Sequence, residues 1–567
     1  MATTLTRCLA SSLLSSNKSQ KSSHAKKIAV NYSSQSYYTE IIPMINQLRL
    51  LPSIVTEDHT PITHMENIAK LKNILMQVHD PIESMLTVDC LQKLGIDYHF
   101  REEMESMLIS LYENVSKNES KKNTNDLFQA SLSFRLLRQA GHPVTPADVL
   151  KKFINKEGRF KSTLRRDMPG LLSLYEASYL NTGEEILYKA NEFSTKHLES
   201  CIEELEPNVA RIVNHAMRHP CQMTIPRYNS AYYLDYCKKG HGISGVLAEF
   251  AILDFNVVLS LHHIELEEVL RWWKSTGLAD ELKFARHQPM KWYLWPMTLM
   301  PEPRFSNCRI QLTKVIAFIY IIDDIFDVYG SPDELNIFTD AINKWDLSVV
   351  GTLPTYMQSC YVSLYNITNE IAQTVYKEFG WNPINSLKKS WTRLCNAFLI
   401  ESRWLRSRHI PKTDEYLRNA VISSGVHTLL THAFYLFGEG ITKENINSVE
   451  SNPAIMSCPA TILRLWDDLG SAKDENQQGF DGSYVDCYMN EYPQYSTENV
   501  RDHVKQIISN TWQNLNKECF VRYHFAPTLV RACLNIARMI EVMYRYDENQ
   551  NLPVLEDYIN VLLLKSI

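Results

Sequence analysis

A chain of 567 residues exceeds the roughly 250–300 at which a single hydrophobic core stops growing, so two sizeable domains are expected. A formal net charge of −6 gives it no global attraction to nucleic acid or anionic lipid, and any anionic ligand must be held by a local cluster. Its 12 cysteines are scattered singly with no CxxC pair, which argues against cysteine-bound zinc or a disulfide framework and for free thiols in a reducing compartment.

Residues 1–39 carry ten serines, five basic residues (Arg7, Lys18, Lys21, Lys26, Lys27) and no acid before Glu40. That is the profile of an organelle transit peptide, and the long apolar stretch of a secretory signal is missing. A disordered polar tail is the alternative, and on either reading the segment lies outside the fold. From about residue 60 onward, apolar residues recur three and four apart, as in Ile68, Leu71, Ile74, Leu75 and Val78, and sustained alternation is hard to find. Short breaks such as Gly141-His142-Pro143 and Pro207-Asn208 separate helix-length segments. An all-α fold is therefore expected. Between Arg218 and Gly242, prolines, tyrosines and glycines interrupt this pattern, which places a domain boundary there: an N-terminal helical domain over 40–240 and a C-terminal one over 241–567. The longest unbroken apolar run, Val315 to Ile322, has eight residues, far short of the ~20 needed to cross a bilayer. No stable membrane insertion is expected.

That run leads directly into Asp323-Asp324-Ile325-Phe326-Asp327. Asp323 and Asp327, four apart, share one face of a helix. Clustered carboxylates at the end of a buried apolar helix repel one another and lose hydration, a cost that a divalent cation offsets. Oxygen-only ligands select a hard ion such as Mg²⁺. The bland alternative is a solvated helix end with Asp324 or Asp327 facing outward. A second acidic segment, Asp467 to Glu475, weighs against it. Asp467, Ser471 and Glu475 fall at i, i+4 and i+8, a ladder of oxygens rising ~6 Å per step on a helix, suited to holding one ion. Asp468 and Asp474 lie off that face and are expected to be solvated or hydrogen-bonded locally. Arg464, three residues before Asp467, sits one turn away on nearly the same face and is placed to meet an anion held by that metal.

The paired motifs DDIFD and DDLGSAKDE resemble the metal motifs of class I plant terpene synthases. LGIDYHF (94–100), FRLLRQAGHPV (134–144), RWWKSTGL (271–278) and LKFARHQPMKWYLW (282–295) extend the resemblance from about residue 60 to the C-terminus. It implies an N-terminal α-barrel-like scaffold, catalytically silent because the DxDD acid motif is missing, and a C-terminal α-bundle whose two walls hold three Mg²⁺, with Mn²⁺ as a possible substitute, against a prenyl diphosphate. The implied metal ligands are Asp323, Asp327, Asp467, Ser471 and Glu475. Arg286 and Arg464 match arginines with which the family holds diphosphate, whereas the second arginine of its RxR motif is Gln288 here. Aromatic faces that tolerate a carbocation are sought among Trp292, Trp295, Phe318, Tyr320 and Phe326, each more readily read as core.

The tandem-arginine motif of cyclising monoterpene synthases is absent from residues 1–60, and the only Arg-Arg pair is Arg165-Arg166. The sequence most resembles the group making acyclic alcohols, linalool from geranyl and nerolidol from farnesyl diphosphate, with myrcene or ocimene as the alternative products. A chain-elongating prenyltransferase would carry a second DDxxD in place of DDLGSAKDE. The group implies a monomer in the plastid stroma, or in the cytoplasm if residues 1–39 do not target it.

Overall fold

The computed structural model describes residues 61–117, 126–237, 243–470, 482–521, 525–547 and 551–565. Every regular element among these residues is helical, and the β pairing they contain is an isolated bridge between Ile154 and Phe160. Local chemistry accounts for the helix ends. The helix Pro81–Leu94 starts where Asp80 accepts from the backbone N–H of Ile82 and Glu83, at 3.0 and 2.9 Å, with proline first in the helix. It stops at Gly95, whose φ of 71° is cheap only for glycine.

The apolar faces converge on two large cores. One gathers residues from Leu71 to Phe255, the other from Ile225 to Leu563. Helix α1, Ile243–Thr276, belongs to both: Leu247, Phe250 and Phe255 pack into the first core, and Leu266, Val269 and Trp273 into the second. The N-terminal core thus continues past residue 240 along the first half of α1. A buried carboxylate also ties the halves together, since Glu302 pairs with Arg101 from the N-terminal half and with Arg531, at 2.7 Å, from the C-terminal one. Glu302 is itself buried, so leaving it with no cation would cost several kcal/mol, on the order of 3–5.

Two stretches, 245–276 and 413–437, are long and apolar enough to cross a membrane, which the count of unbroken apolar runs does not detect. Their most apolar windows are 56% and 83% buried inside the fold, as for core helices whose apolar stripes are interrupted by polar residues. The ten cysteines whose side chains are described are all free thiols.

The C-terminal helices that build the site are α2 (Pro289–Leu299), α3 (Ser306–Asp324), α4 (Ile384–Ser407), α5 (Thr413–Ser423), α6 (Val426–Phe437), α7 (Ala454–Gly470) and α8 (Pro527–Tyr544). Helix α2 packs on α3 and α8, α3 on α6, and α7 on α5, α6 and α8, so the group closes around one cavity.

Candidate active site

Helix α3 is buried along most of its length and ends in a π-turn, Ile325–Tyr329, where Ile325 and Phe326 stay in the core. Wide turns of this kind recur at functional sites. Ser331 and Glu334 then form a capping box that starts the next helix and fixes the chain beyond Asp327. Asp323 and Asp327 both line the cavity, as their spacing predicts. Asp467, from α7, lines it as well. Burial pushes the Asp467 carboxyl upward; Arg464 opposes this, while the charge of Asp323 adds to it. The acids of the two motifs therefore share one field across the cavity. Such convergent carboxylate oxygens fit a hard divalent cation. Ser471 and Glu475 lie outside the described residues, as does Asp474.

Asp324 does not face outward into solvent. It is buried behind Asp323 and accepts the backbone N–H of Arg286 (2.6 Å) and its Nε–H (2.6 Å), while Arg286 Nη2 donates to Asp323 at 2.7 Å. Burial raises the Asp324 carboxyl to about 6, with Arg286 opposing. The middle aspartate is thus a latch that holds Arg286 at the mouth of the acid pair. Asp468 is likewise buried rather than solvated. It accepts from Tyr416 Oη at 3.0 Å and from the Tyr484 backbone N–H at 2.9 Å, and burial pushes its carboxyl up to about 8. Arg464 donates to Asp467 (3.3 Å), to Ser423 Oγ (3.0 Å) and to the Ala420 carbonyl (3.4 Å), which pins α7 to α5.

Of the five aromatic residues considered from sequence, Trp295 and Tyr320 line the cavity; Trp292, Phe318 and Phe326 are fully buried core. Trp404, Tyr416, Tyr544 and Tyr546 also line it, and no local spacing pointed to them, since they come from α4, α5 and the end of α8 with the residues just after it, far from either acidic motif in the chain. Lys291 is a different case: with Gln288 and Trp295 it falls at steps of three and four residues, a pattern legible as one helix face, and all three reach the cavity. Between α5 and α6 the chain turns through Gly425 at φ 74°, against the cavity, and a Cβ there would lie 2.6 Å from Ile319 Cγ2. Glycine is required on both counts.

Residues 274–514 match the terpene synthase family's metal binding domain, and residues 44–217 its N-terminal domain. A probable terpene synthase of Ricinus communis is 43% identical over 93% of this chain and 94% of its own length. The chain belongs to the terpene synthase family. This synthase is 44% identical to an (E)-nerolidol synthase of Cannabis sativa over 88% of this chain and 92% of that one. With a chloroplastic S-(+)-linalool synthase of Arabidopsis thaliana it shares 42% identity over 88% of each chain. Among solved structures it superposes on the isoprene synthase of grey poplar leaves, bound to three Mg²⁺ ions and dimethylallyl-S-thiolodiphosphate, with a TM-score of 0.82 and 34% identity over 89% of this chain and 97% of that one. A limonene synthase bound to 2-fluorolinalyl diphosphate gives a TM-score of 0.83 and 34% identity over 88% and 94%. The synthase is a two-domain helical, metal-dependent lyase acting on prenyl diphosphates.

Proposed function

We propose that this synthase ionises geranyl diphosphate, and farnesyl diphosphate when offered it, to the acyclic tertiary alcohols linalool and nerolidol, releasing diphosphate. Asp323 and Asp327 on one wall and Asp467, Ser471 and Glu475 on the other are the residues we assign to divalent metal, three Mg²⁺ with Mn²⁺ as a substitute. Bound there, the ions neutralise the departing diphosphate, an effect worth several kcal/mol. Arg286 and Arg464 are assigned to the diphosphate itself. Trp295, Tyr320, Trp404 and Tyr416 exclude bulk water and offer π faces to the allylic cation.

The observation carrying the acyclic reading is position 288. A neutral glutamine lines the cavity where the family places a second arginine, next to an Arg286 held by Asp323 and Asp324. Ring closure from a geranyl cation needs rotation about C2–C3, which requires diphosphate to return to C3 and leave again. A diphosphate gripped differently near the mouth returns less readily, and water takes the tertiary carbon first. The similarity to nerolidol and linalool synthases supports the same outcome.

Residues 40–240 are read as a catalytically silent scaffold, 241–567 as the catalytic unit, and 1–39 as a plastid transit peptide delivering a monomer to the stroma. The linalool synthase relative is named as chloroplastic, which supports plastid targeting. With geranyl diphosphate and Mg²⁺, chiral gas chromatography should give linalool as the main volatile, and with farnesyl diphosphate nerolidol. A dominant cyclic product such as limonene would overturn the acyclic reading, and dominant myrcene or ocimene would replace water capture by proton loss.

A further inference from the structure

We propose that Lys291 is a further diphosphate-binding residue, which supplies to the cavity, one helical turn beyond Gln288, the positive charge that position 288 lacks. The inference rests on the diphosphate-ionising reading and adds to it a residue that sequence resemblance alone does not assign.

Helix α2 begins at Pro289 with Gln288 as its N-cap residue, so Lys291 stands in its first turn. A cation is poorly placed there, because the helix dipole presents positive potential at that end and favours anions. The side chain nevertheless lines the cavity on the same face as Gln288 and Trp295, in the cavity that Asp467 of the other wall also lines. Lysine and the N-terminus of α2 together favour an anion beside them. Gln288 contributes a second sign: its Oε1 is buried with no hydrogen-bond partner, and an amide turned about would present its N–H groups to the same anion.

The two arginines reach the cavity already bound to protein groups. Arg286 is paired with Asp323 and Asp324, and Arg464 with Asp467, Ser423 and the Ala420 carbonyl. Both are fixed in direction by these bonds. An ammonium on a four-carbon stem has no preferred plane and can follow a phosphate group as a point charge. Position 291 lies ~4.5 Å along the helix axis from position 288, so the charge is displaced and not merely restored. A diphosphate drawn toward it after ionisation is held away from its point of departure, which accords with poor return to C3.

The test is calorimetric binding of inorganic diphosphate in the presence of Mg²⁺ to the purified full chain, at two salt concentrations, for the wild type and for Lys291→Gln, Lys291→Met, Lys291→Arg and, as an exposed control, Lys274→Gln. Removing the charge should weaken binding about tenfold or more. It should also flatten the salt dependence and raise KM for geranyl diphosphate. The Lys291→Arg variant should stay within about threefold of wild type and Lys274→Gln should match it. The two neutral variants guard against one of them failing to fold, which thermal melting reports. Wild-type affinity and salt dependence in a folded neutral variant would overturn the role of Lys291 while leaving the proposed function standing. A wild-type protein that binds no diphosphate and makes no terpene would remove the proposed function itself.

Discussion

Asp323→Ala should abolish turnover, while Asp468→Asn should keep most of it. Asp323 lines the cavity, its oxygen already engages Arg286, and its charge is felt by Asp467 across the gap. Losing a direct ligand at a metal that stabilises the transition state costs ~3 kcal/mol or more, about a hundredfold in rate. Asp468 borders the same cavity but is itself buried, with its oxygens taken by Tyr416 and the Tyr484 backbone, and its carboxyl is raised from 3.8 to about 8. Near neutral pH it is largely protonated, and an asparagine is close to that neutral form. The sign follows: the folded chain holds this proton more firmly than the unfolded one, so the group's stabilising contribution is complete below the unfolded value of 3.8 and is lost as pH rises through about 8. The Asp468→Asn variant should therefore melt with less pH dependence than the wild type over that interval. Steady-state turnover and melting curves check both halves, and equal losses of turnover in the two variants would contradict the placement of these aspartates.

The second large effect is expected from Arg464→Met. The guanidinium is partly buried and lies among Asp467, Asp468 and the Glu401 carboxyl, which burial pushes upward and Arg464 pulls back. Removing it leaves buried carboxylates facing one another and breaks the link from α7 to Ser423 and Ala420 on α5. Part-buried polar groups left without their partner cost about 1–3 kcal/mol. The melting temperature should fall clearly, and turnover should drop by about a hundredfold as the diphosphate loses an anchor. The Arg464→Lys variant should recover stability only in part, because an ammonium cannot reach Asp467, Ser423 and Ala420 at once. Wild-type melting and turnover in Arg464→Met would remove Arg464 from the site.

The helical architecture was legible because apolar spacing of three and four persists through both halves, and each acidic motif showed its own helix face, but only the resemblance to the family's paired motifs implied that Asp467 meets Asp323 and Asp327. What a register cannot show is which distant segments meet. The latch of Asp324 on Arg286 depends on the loop before α2 folding back on the end of α3, and Tyr544 joins the cavity from a helix that begins more than 200 residues after Asp323. The aromatic residues split for the same reason: Trp295 and Trp292 sit on adjacent faces of α2, and only packing decides which meets the cavity and which the core. Lys291 was within reach of the spacing rule but drew no attention beside the arginine missing from position 288. The long helix α1 blurs a boundary drawn from composition, because its apolar stripe serves two cores in turn.

The most direct measurement is turnover of geranyl diphosphate by the purified chain with Mg²⁺, followed by excess chelator, counting solvent-extractable terpene and released diphosphate together. Opposed carboxylate walls that work only through divalent metal predict equimolar terpene and diphosphate with Mg²⁺, none of either in chelator, and recovery when Mg²⁺ is returned. Terpene formation that persists in chelator, or that needs isopentenyl diphosphate as a second substrate, would contradict it.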